Sequence, residues 1–558
     1  MNANTDLSIP CPKNSEKKTK TRTQYERLGD FVHTVSIDKN FCVLCIVDSL
    51  QAMKHFPFFF LLLALVACAP KTIVSENLAV PVDKSQQTRV LITTDLEVDD
   101  MNGLILSLMY ADQYDIAGIV WTAGMYHFNG DGGLHTLGQI TPNYRCNAQH
   151  CEHRVKTAAD LTEYRPIDPT WLPRILDCYE ADYALMSKNN PNYPTPEYLR
   201  SITKVGNIEF EGDYRFETEG SNFIMQLILD DDPRPLIIQH WGGINTTVRA
   251  LYSIYQRYYD TPEWDNVLKK VTDKVRIGGS GEDNCRADSK IDEMFPGLQN
   301  GGYGLGGFFS YGTFFSASNS PRRAAEELQP YMHAPWNLEA YKQGHGKLAE
   351  QIWLMGEGRA IYGEPLIYNY GLITYMDWGL SAKMGWGPES LKDYPRAEYD
   401  PYSWAFCQFG CASFIDIGLR SDVNNRGNNH YTIAMWEELA ARADWAICEP
   451  QDCNHAPILD GGLLDITAAP GETVEFSVAA SDPDGDRLTA SWYVPAAACT
   501  YKQGKAEGLS VSASKNWNAS FTVPADAASG DKLVVNLEVR DNAGRPMTRF
   551  VQYVITVG

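Results

Sequence analysis

The sequence predicts an α/β domain, an open and mostly parallel sheet with helices on both faces, followed by an all-β immunoglobulin-like sandwich. Apolar, strand-like runs alternate with helical patterns between residues 89 and 279, which is typical of βαβ units. Beyond residue 457 the chain changes to short alternating strands separated by turn residues, which favours a sandwich. Two folded domains of different class are therefore expected.

The length and composition agree with this organisation. The chain has 558 residues, of which 44% are hydrophobic and 21% are charged, so it can bury a large core and is not mainly disordered. Its formal net charge is −22. Because so acidic a surface repels phosphate backbones, we expect no nucleic-acid partner.

The first apolar segment resembles the signal peptide of a bacterial lipoprotein. A short basic region at residues 53–55 precedes the apolar residues 56–64, and residues 65–68 read Leu-Val-Ala-Cys. The apolar run is too short to cross a bilayer as a mature helix; the alternative is a buried hydrophobic helix. The resemblance implies lipidation of Cys68. We expect an exported protein anchored in the cell envelope through its lipid, at the outer membrane or periplasmic face.

The predicted domain boundaries follow changes in composition. Residues 1–52 are polar and show no core pattern, which favours a non-native, disordered extension from a misassigned start codon over a real cytosolic extension. After them the predicted segments are the signal peptide (53–68), a linker (69–88), the α/β domain (89–448) and the sandwich (449–558).

The α/β domain opens with a strand, an acidic turn, a helix and a second strand. Residues 90–94 and 116–121 are apolar runs, and residues 104–109 between them repeat apolar side chains with helical spacing. Ligands of open parallel sheets bind at the carboxyl ends of strands, so the turns after these strands are candidate sites. The pattern recurs in a helix at 222–229, a strand at 236–240, a helix near 246–255 and a strand at 274–279.

Turn signals separate the strands predicted for the sandwich. The turn Asp482-Pro-Asp484-Gly-Asp486 is interpreted as a solvated turn, with a calcium site as the alternative, and Trp492 is expected in the core. The predicted strands are residues 473–478, 488–493, 520–523, 533–539 and 550–557.

The acidic turn after the first strand is the strongest candidate for chemistry. Asp95, Glu97, Asp99 and Asp100 lie within six residues at a strand end, where their charges repel one another unless a cation is bound. Clustered hard oxygen ligands favour calcium, and a calcium-bound water beside Asp95 could attack an electrophilic carbon. The alternative is a solvated acidic helix N-terminus.

Residues 90–118 resemble the opening of nucleoside hydrolases, whose signature is Asp-x-Asp-x-x-x-Asp-Asp. Asp95, Asp99 and Asp100 match its last three Asp residues, and Thr93 replaces the first. The resemblance implies that Asp95 is the general base and a calcium ligand, that Asp99 binds the sugar, and that Asp100 binds calcium. It also implies a calcium-binding backbone carbonyl at Trp241, before the Gly-Gly turn.

Several further motifs occur in the order found in a bacterial cellulose-binding protein family with a nucleoside-hydrolase-like domain. The resemblance covers residues 89–558 and implies a Rossmann-like domain, a C-terminal sandwich and cellulose or another polysaccharide as a partner. The motifs are Thr93-Thr94-Asp95, Glu219-Gly220-Ser221, Asp231-Asp232-Pro233-Arg234-Pro235, Trp241-Gly242-Gly243-x-Asn245-Thr246, Asn454-His455-Ala456-Pro457, the Asp-Pro-Asp-Gly-Asp turn and residues 522–526.

The same alignment suggests the rest of the site. Asn245, Glu282 and Asp283 are expected to contact substrate, with a helix cap and a polar surface turn as alternatives. The last metal ligand is assigned to Glu364, with Glu357 competing for the role.

Histidines and cysteines carry weaker predictions. His240 and His345 are each interpreted as hydrogen-bonded structural residues rather than leaving-group acids, and His345 as the freer of the two. A disulfide between Cys146 and Cys151 is favoured over a zinc site. Two further pairs could form, Cys407 with Cys411 and Cys448 with Cys453.

The leading functional hypothesis is a calcium-dependent hydrolase of the nucleoside-hydrolase type that cleaves an N-glycosyl, ribosyl-like bond. Its small-molecule substrate would be a nucleoside or a glycan. The alternative is a non-catalytic, polysaccharide-binding surface lipoprotein that uses the same pocket and the sandwich. A scaffold with an inert acidic pocket is a third, less favoured hypothesis.

Overall fold

The structure is a computed structural model, and it describes part of the chain. The described residues all lie within one structural unit, Ser75–Gly558. Cys68 and residues 1–83 fall outside them, as do Cys146, Cys151, Glu282, Asp283, Glu357, Glu364, Cys407 and Cys411. The described residues are 84–87, 89–96, 98–124, 127–141, 160–164, 166, 169–278, 288–300, 336, 338–352, 426–460, 464–494, 496, 499–515 and 517–558.

The first domain is built on a six-stranded sheet in which every neighbouring pair of strands is parallel. The spatial order is β3-β2-β1-β4-β5-β6, so the predicted open parallel sheet is confirmed. The strands are β1 (Arg89–Thr94), β2 (Asp115–Trp121), β3 (Thr203–Val205), β4 (Leu236–His240), β5 (Val275–Gly278) and β6 (Gln299–Asn300).

Helices cover both faces of this sheet. Along β1, Val90 and Ile92 pack into one apolar cluster and Leu91 into another, because successive side chains of a strand point to opposite faces. The helices are α1 (Val98–Met109), α2 (Leu137–Ile140), α3 (Trp171–Asn189), α4 (Pro196–Ser201), α5 (Glu219–Leu229), α6 (Asn245–Tyr258), α7 (Trp264–Lys274), α8 (Asp288–Met294) and α9 (Arg426–Asp444). A π-helical turn spans Leu338–Lys342.

The end of the predicted linker packs onto this domain. Lys84–Gln86 form a 3-10 turn, the Gln87 amide donates to the Asp112 carbonyl at 2.9 Å, and Arg234 donates to the Gln87 carbonyl at 3.2 Å. The described residues just before β1 are therefore held against the parallel-sheet domain.

The C-terminal region is all-β, as predicted. A four-stranded sheet of order β11-β14-β15-β8 and a three-stranded sheet of order β12-β13-β9 enclose one core, while β10 pairs with β7. Trp492 stacks on Phe476 in this core, with ring centroids 5.5 Å apart. The strands are β7 (Ile458–Asp460), β8 (Leu464–Ala468), β9 (Thr473–Ser477), β10 (Ala479–Ser481), β11 (Thr489–Tyr493), β12 (Ser512–Lys515), β13 (Asn518–Thr522), β14 (Lys532–Arg540) and β15 (Thr548–Val557).

A buried charge network joins α9 to the parallel-sheet domain and to the sandwich. Arg442 Nη1 lies 2.6 Å from Asp112 Oδ1, and Arg442 Nε lies 2.8 Å from Glu438 Oε1. Glu438 Oε2 also lies 2.6 Å from Arg549 Nη1 on β15. Burial raises the pKa of Asp112 more than Arg442 lowers it. Burial also opposes ionisation of Glu438, but Arg549 and Arg442 outweigh it and lower its pKa.

Two further observations concern cysteines and membrane spans. Cys448 and Cys453 form a disulfide directly after α9, one of the pairings the sequence allows. Among the residues that the structure describes, no helix is both long and apolar enough to cross a bilayer.

Candidate functional site

The candidate site lies where the order of the parallel strands reverses. β1 pairs with β2 on one side and with β4 on the other, and open sheets bind ligands beyond the carboxyl ends of such strands. Backbone hydrogen bonds also join the residues that follow β2 and β4 to the end of β1. Trp241 N donates to the Thr93 carbonyl at 2.9 Å, and Thr122 N donates to the Thr94 carbonyl at 2.8 Å.

Asp95 and Asp100 meet directly after β1. Their exposed fractions are 1% and 2%. Asp100 Oδ2 accepts hydrogen bonds from the Thr94 hydroxyl at 2.6 Å and from Asp95 N at 3.1 Å. The five-residue separation becomes a contact because α1 begins at Val98 and turns the chain back over the end of β1.

The turn between β1 and α1 has an unusual backbone. Leu96 is completely buried and has φ of 61°, a left-handed conformation that is uncommon for a non-glycine residue. The Thr94 hydroxyl accepts the Leu96 N–H at 3.0 Å while donating to Asp100. One hydroxyl thus stabilises both the turn and the second carboxylate, a role for Thr94 that sequence reasoning missed.

The Gly-Gly turn after β4 lies against Asp95. A Cβ atom on Gly242 would be 2.7 Å from Asp95 Cβ and 2.8 Å from Asp95 Cγ. Gly243 is equally constrained, since its Cβ would lie 2.3 Å from the Ala123 carbonyl oxygen. Trp241, the predicted carbonyl ligand, is therefore adjacent to Asp95, and its buried indole donates to Gln239 Oε1 at 3.0 Å.

Asn245 is completely buried and connects the loops after β2 and β3 to the start of α6. Its Nδ2 donates to the carbonyls of Asn207 and Asp213 at 2.8 and 3.1 Å, and its Oδ1 accepts from the Thr122 hydroxyl at 2.9 Å. These contacts give the side chain a positioning role in the loops after β2 and β3. Its contact with substrate stays a prediction.

The other predicted site residues are described less fully. Asp99 lies in the first turn of α1, but its side chain is outside the described residues, as are Glu282, Asp283 and both candidates for the last ligand, Glu364 and Glu357. Of the predicted site residues, Asp95 and Asp100 are in contact, and Gly242, which follows Trp241 in the chain, lies against Asp95. The roles assigned to Asp95, Asp100 and Trp241 stay predictions.

Two buried polar residues near this edge of the sheet were not found from the sequence. His127 follows β2 with an exposed fraction of 2%, and Glu211 follows β3 with none of its surface exposed. Neither residue belongs to a recognisable motif, so only the tertiary arrangement reveals its burial.

The chemistry of the described donors fits a hard cation. Asp95 and Asp100 supply carboxylate oxygens and Trp241 a backbone carbonyl, which are the ligands that calcium prefers. Because Gly242 has no Cβ atom, the backbone of the Trp241-Gly242-Gly243 turn can lie directly against Asp95. The donor set is therefore suited to calcium and lacks the sulfur and imidazole ligands typical of zinc.

Comparison with protein families assigns both domains. Residues 89–372, more than half of the chain, match the family described as cellulose-binding Sde182, nucleoside hydrolase-like domain. Residues 473–557 match the C-terminal domain of the cellulose-binding protein Sde0182. The chain belongs to the Sde182 family. The resemblance inferred from the sequence motifs is thus confirmed, and the parallel-sheet domain of this Sde182-family chain is nucleoside hydrolase-like.

A solved structure supports the same fold. A nucleoside hydrolase-related hypothetical protein from Saccharophagus degradans, associated with carbohydrate metabolism, aligns with a TM-score of 0.55 at 22% identity, over 85% of this chain and 100% of that one. An endo-fucoidan hydrolase of glycoside hydrolase family 107 aligns with a TM-score of only 0.14 at 14% identity, over 18% of this chain and 14% of that one. No curated protein matches the sequence.

Both histidines singled out from the sequence of this Sde182-family chain are hydrogen-bonded. His240 is buried, with Nε2 2.8 Å from the Thr247 hydroxyl. His345 lies 2.7 Å from Asp444 Oδ1 and 2.9 Å from the Glu339 carbonyl, and its exposed fraction is 8%. His345 is the more exposed of the two, at 8% against 2% for His240, but Asp444 on α9 and the Glu339 carbonyl occupy both of its ring nitrogens.

The acidic turn of the sandwich is held by its own first residue. Asp482 Oδ1 accepts from the backbone N–H groups of Asp484 and Asp486, both at 2.9 Å. Burial raises the pKa of Asp482, and the charges of Asp484 and Asp541 raise it further. One oxygen of each of Asp482, Asp484 and Asp486 lies within 4.8 Å of the others. This spacing is compatible with the calcium site that was the alternative, and the hydrogen bonds to Asp482 are those of the predicted turn.

Proposed function

We propose that this Sde182-family chain hydrolyses a glycosyl bond at Asp95, in association with a polysaccharide. The observation that carries the proposal is that two almost fully buried acidic residues lie together at the reversal point of a parallel sheet, with the Asp100 carboxylate accepting a hydrogen bond from the Asp95 backbone N–H. Burying a carboxylate is costly unless hydrogen bonds, a charged partner or a cation offset the loss of water, and such carboxylates are concentrated at functional sites. The nucleoside hydrolase-like fold favours an N-glycosyl, ribosyl-like bond as the one cleaved.

Asp95 would act as the general base. Its carboxylate accepts a proton from a water molecule as the oxygen of that water attacks the anomeric carbon, and the electrons of the glycosyl bond leave with the departing group. Glycosyl cleavage passes through an oxocarbenium-like transition state, whose positive charge two carboxylates stabilise. Thr94 holds Asp100 in place, and Gly242 fixes the position of Asp95.

Asp95, Asp100 and the Trp241 carbonyl would hold calcium in this proposal. When bound, calcium supplies Lewis-acid polarisation of water. With the ion bound, the repulsion between the two carboxylates would be relieved, which allows Asp95 to remain ionised although it is buried.

The test is a turnover assay on the full chain with nucleosides and with oligosaccharides, in calcium and in chelator. Asp95→Asn should lower turnover by about 100-fold or more, and Asp100→Asn should raise the calcium concentration required. Asp231→Asn, on a fully exposed carboxylate, controls for the loss of one negative charge. Turnover by folded Asp95→Asn at the rate of the unsubstituted chain would refute the proposal.

A second candidate function is polysaccharide binding without turnover. Thr93 stands where the nucleoside hydrolase signature has its first Asp, and its hydroxyl donates to the Gln239 carbonyl at 3.3 Å, so this position adds no charge to the site. The cellulose-binding family of the chain also favours a polysaccharide partner. Polysaccharide retention without release of sugar or base in any assay would favour this function.

We also propose that the protein is exported and lipid-anchored through Cys68. The support is the basic, apolar and Leu-Val-Ala-Cys sequence of residues 53–68. Labelling of expressing cells with a fatty-acid analogue should mark the protein, and Cys68→Ser should abolish the label. Equal labelling of the variant would contradict lipidation at this residue.

A further inference from the structure

A cavity separate from the site around Asp95 lies between α9, the π-helical turn Leu338–Lys342 and the connection from β14 to β15. Its volume is about 290 Å³, at the lower end of the range of ligand sites, about 300–1,000 Å³. None of its lining residues belongs to the site around Asp95. Lining residues with a part in the argument are Trp336, Glu339, Ala340, Glu437, Gly544 and Arg545.

We propose that this cavity binds one sugar ring of a neutral polysaccharide. The proposal rests on the polysaccharide partner proposed above, and it places that partner at the junction with the sandwich, away from the reaction centre. A ligand held there would contact both the parallel-sheet domain and the sandwich.

Trp336 supplies the aromatic wall that a sugar ring requires. It is half-buried, and its ring meets the completely buried Tyr341 at 73°, with centroids 6.0 Å apart. This edge-on packing fixes the orientation of the indole. The apolar C–H face of a pyranose packs well against such a ring, and Ala340 extends the apolar surface.

The positive charges at the cavity are already used within the protein. Arg545 Nε lies 3.0 Å from Asp444 Oδ2, and its Nη1 donates to the carbonyls of Ala340 and Ala440. Arg540 makes a bidentate pair with Glu437. An anionic ligand would therefore compete with existing partners for these guanidinium groups.

Glu339 supplies an acceptor for ligand hydroxyl groups. It is exposed, and its carboxylate has no hydrogen bond or ion pair with the part of the chain that the structure describes. A carboxylate accepts hydrogen bonds from hydroxyl groups and repels other carboxylates. An aromatic wall, a carboxylate acceptor and compensated cations together select a neutral, hydroxyl-rich ring over a uronate or a phosphate.

Gly544 provides a way to fill the cavity without disturbing the fold. A Cβ at this position meets no other heavy atom within 4 Å, so an added side chain starts from open space beside the cavity. Trp336→Ala is a less secure test because Trp336 packs against the core. Gly544→Leu should block the cavity, and Gly544→Ala is its matched control.

The experiment is calorimetric titration of the full chain with a cello-oligosaccharide and with a uronate oligosaccharide of equal length. The uronate should bind at least about tenfold more weakly, and Glu339→Ala should weaken cello-oligosaccharide binding about five- to tenfold. Gly544→Leu should reduce binding by at least about tenfold, as expected for a blocked apolar pocket. Gly544→Ala and Asp95→Asn should bind as the unsubstituted chain does.

The outcomes separate this proposal from the proposed reaction. Loss of binding in Asp95→Asn but not in Gly544→Leu overturns the proposal that this cavity binds sugar and leaves the proposed reaction at Asp95 standing. Absence of any cello-oligosaccharide binding, together with Asp95-dependent turnover, has the same meaning. Binding lost in Gly544→Leu and kept in Asp95→Asn supports the cavity even if no turnover is ever detected.

Discussion

Gly242 lies so close to Asp95 that only glycine fits. A Cβ atom at Gly242 would be 2.7 Å from Asp95 Cβ and 3.0 Å from Asp95 N, and the second of these neighbours is backbone. The carboxyl ends of β1 and β4 are thus brought into a contact on which the position of Asp95 depends. This contact makes Gly242 a sensitive probe of whether Asp95 is part of a working site.

Gly242→Ala should impair the reaction centre more than it impairs the fold. The added methyl group must displace Asp95, so calcium affinity and turnover should each fall by about tenfold or more, since small misplacements of reacting groups are costly. Calcium titration and turnover assays on the folded variant measure both effects.

Gly118→Ala is the control for crowding in general. Its Cβ would lie 2.8 Å from Phe223 Cε1 and 2.9 Å from Leu91 Cδ1, which are side-chain atoms in the core. We expect a loss of stability of about 1–3 kcal/mol from overpacking, with calcium affinity unchanged. Equal effects of the two substitutions on calcium affinity would argue against a specific role for Gly242.

Thr94→Val should destabilise the turn that carries Asp95 and Asp100. The substitution removes a hydroxyl that donates to Asp100 and accepts from Leu96 N, and leaving buried groups unpaired costs about 1–3 kcal/mol. Urea unfolding measures the loss. Thr94→Ser keeps the hydroxyl and should retain most of the stability; if Ser and Val behave alike, the hydroxyl has no such role.

Arg442→Met should be among the most destabilising substitutions in the described residues. It leaves Asp112 and Glu438 buried without their shared cation, which costs about 3–5 kcal/mol for a broken buried pair. The matched control is Arg200→Met, which removes partly exposed pairs with Asp177 and Glu180 and should cost at most about 1 kcal/mol. Similar unfolding free energies for the two variants would contradict this prediction.

Asp232 should stabilise the fold at neutral pH and lose that effect in acid. Hydrogen bonds from Arg234 chiefly lower the pKa of Asp232 to about 2, below the value of about 3.9 expected in the unfolded chain. A lowered folded-state pKa gives stability that is present above the unfolded pKa and lost as the pH falls towards the folded value. At about 1.4 kcal/mol per pKa unit, the gain at neutral pH is at most about 3 kcal/mol, and partial exposure of Asp232 reduces it.

The measurement for Asp232 is the unfolding free energy of the unsubstituted chain and of Asp232→Asn between pH 7 and pH 2. The difference between them should be constant above about pH 5 and shrink from about pH 4 to pH 2. Asp231→Asn, on the neighbouring exposed carboxylate, controls for charge removal. A difference that is independent of pH would contradict the assigned role of Arg234.

Local patterns in the sequence were sufficient to predict the fold class and the part of the site in the turn between β1 and α1. The apolar run of β1, the acidic turn and the helical spacing of α1 are all set by neighbouring residues, so Asp95 and Asp100 could be placed at a strand end. Two of the strands missed in the sandwich, β7 and β10, have three residues each. Such short segments carry too little alternation to be recognised.

Local chemistry determined by itself that this chain has a parallel-sheet domain, an all-β domain and an acidic strand end, since strand and helix periods and turn residues are properties of short segments. Only the tertiary structure decided that Gly242 lies against Asp95, that Asn245 connects the loops after β2 and β3, and that Arg442 joins α9 to Asp112. These contacts link residues far apart in the chain. They depend on the spatial order of the strands and on how α9 packs against the parallel-sheet domain, which no local pattern specifies.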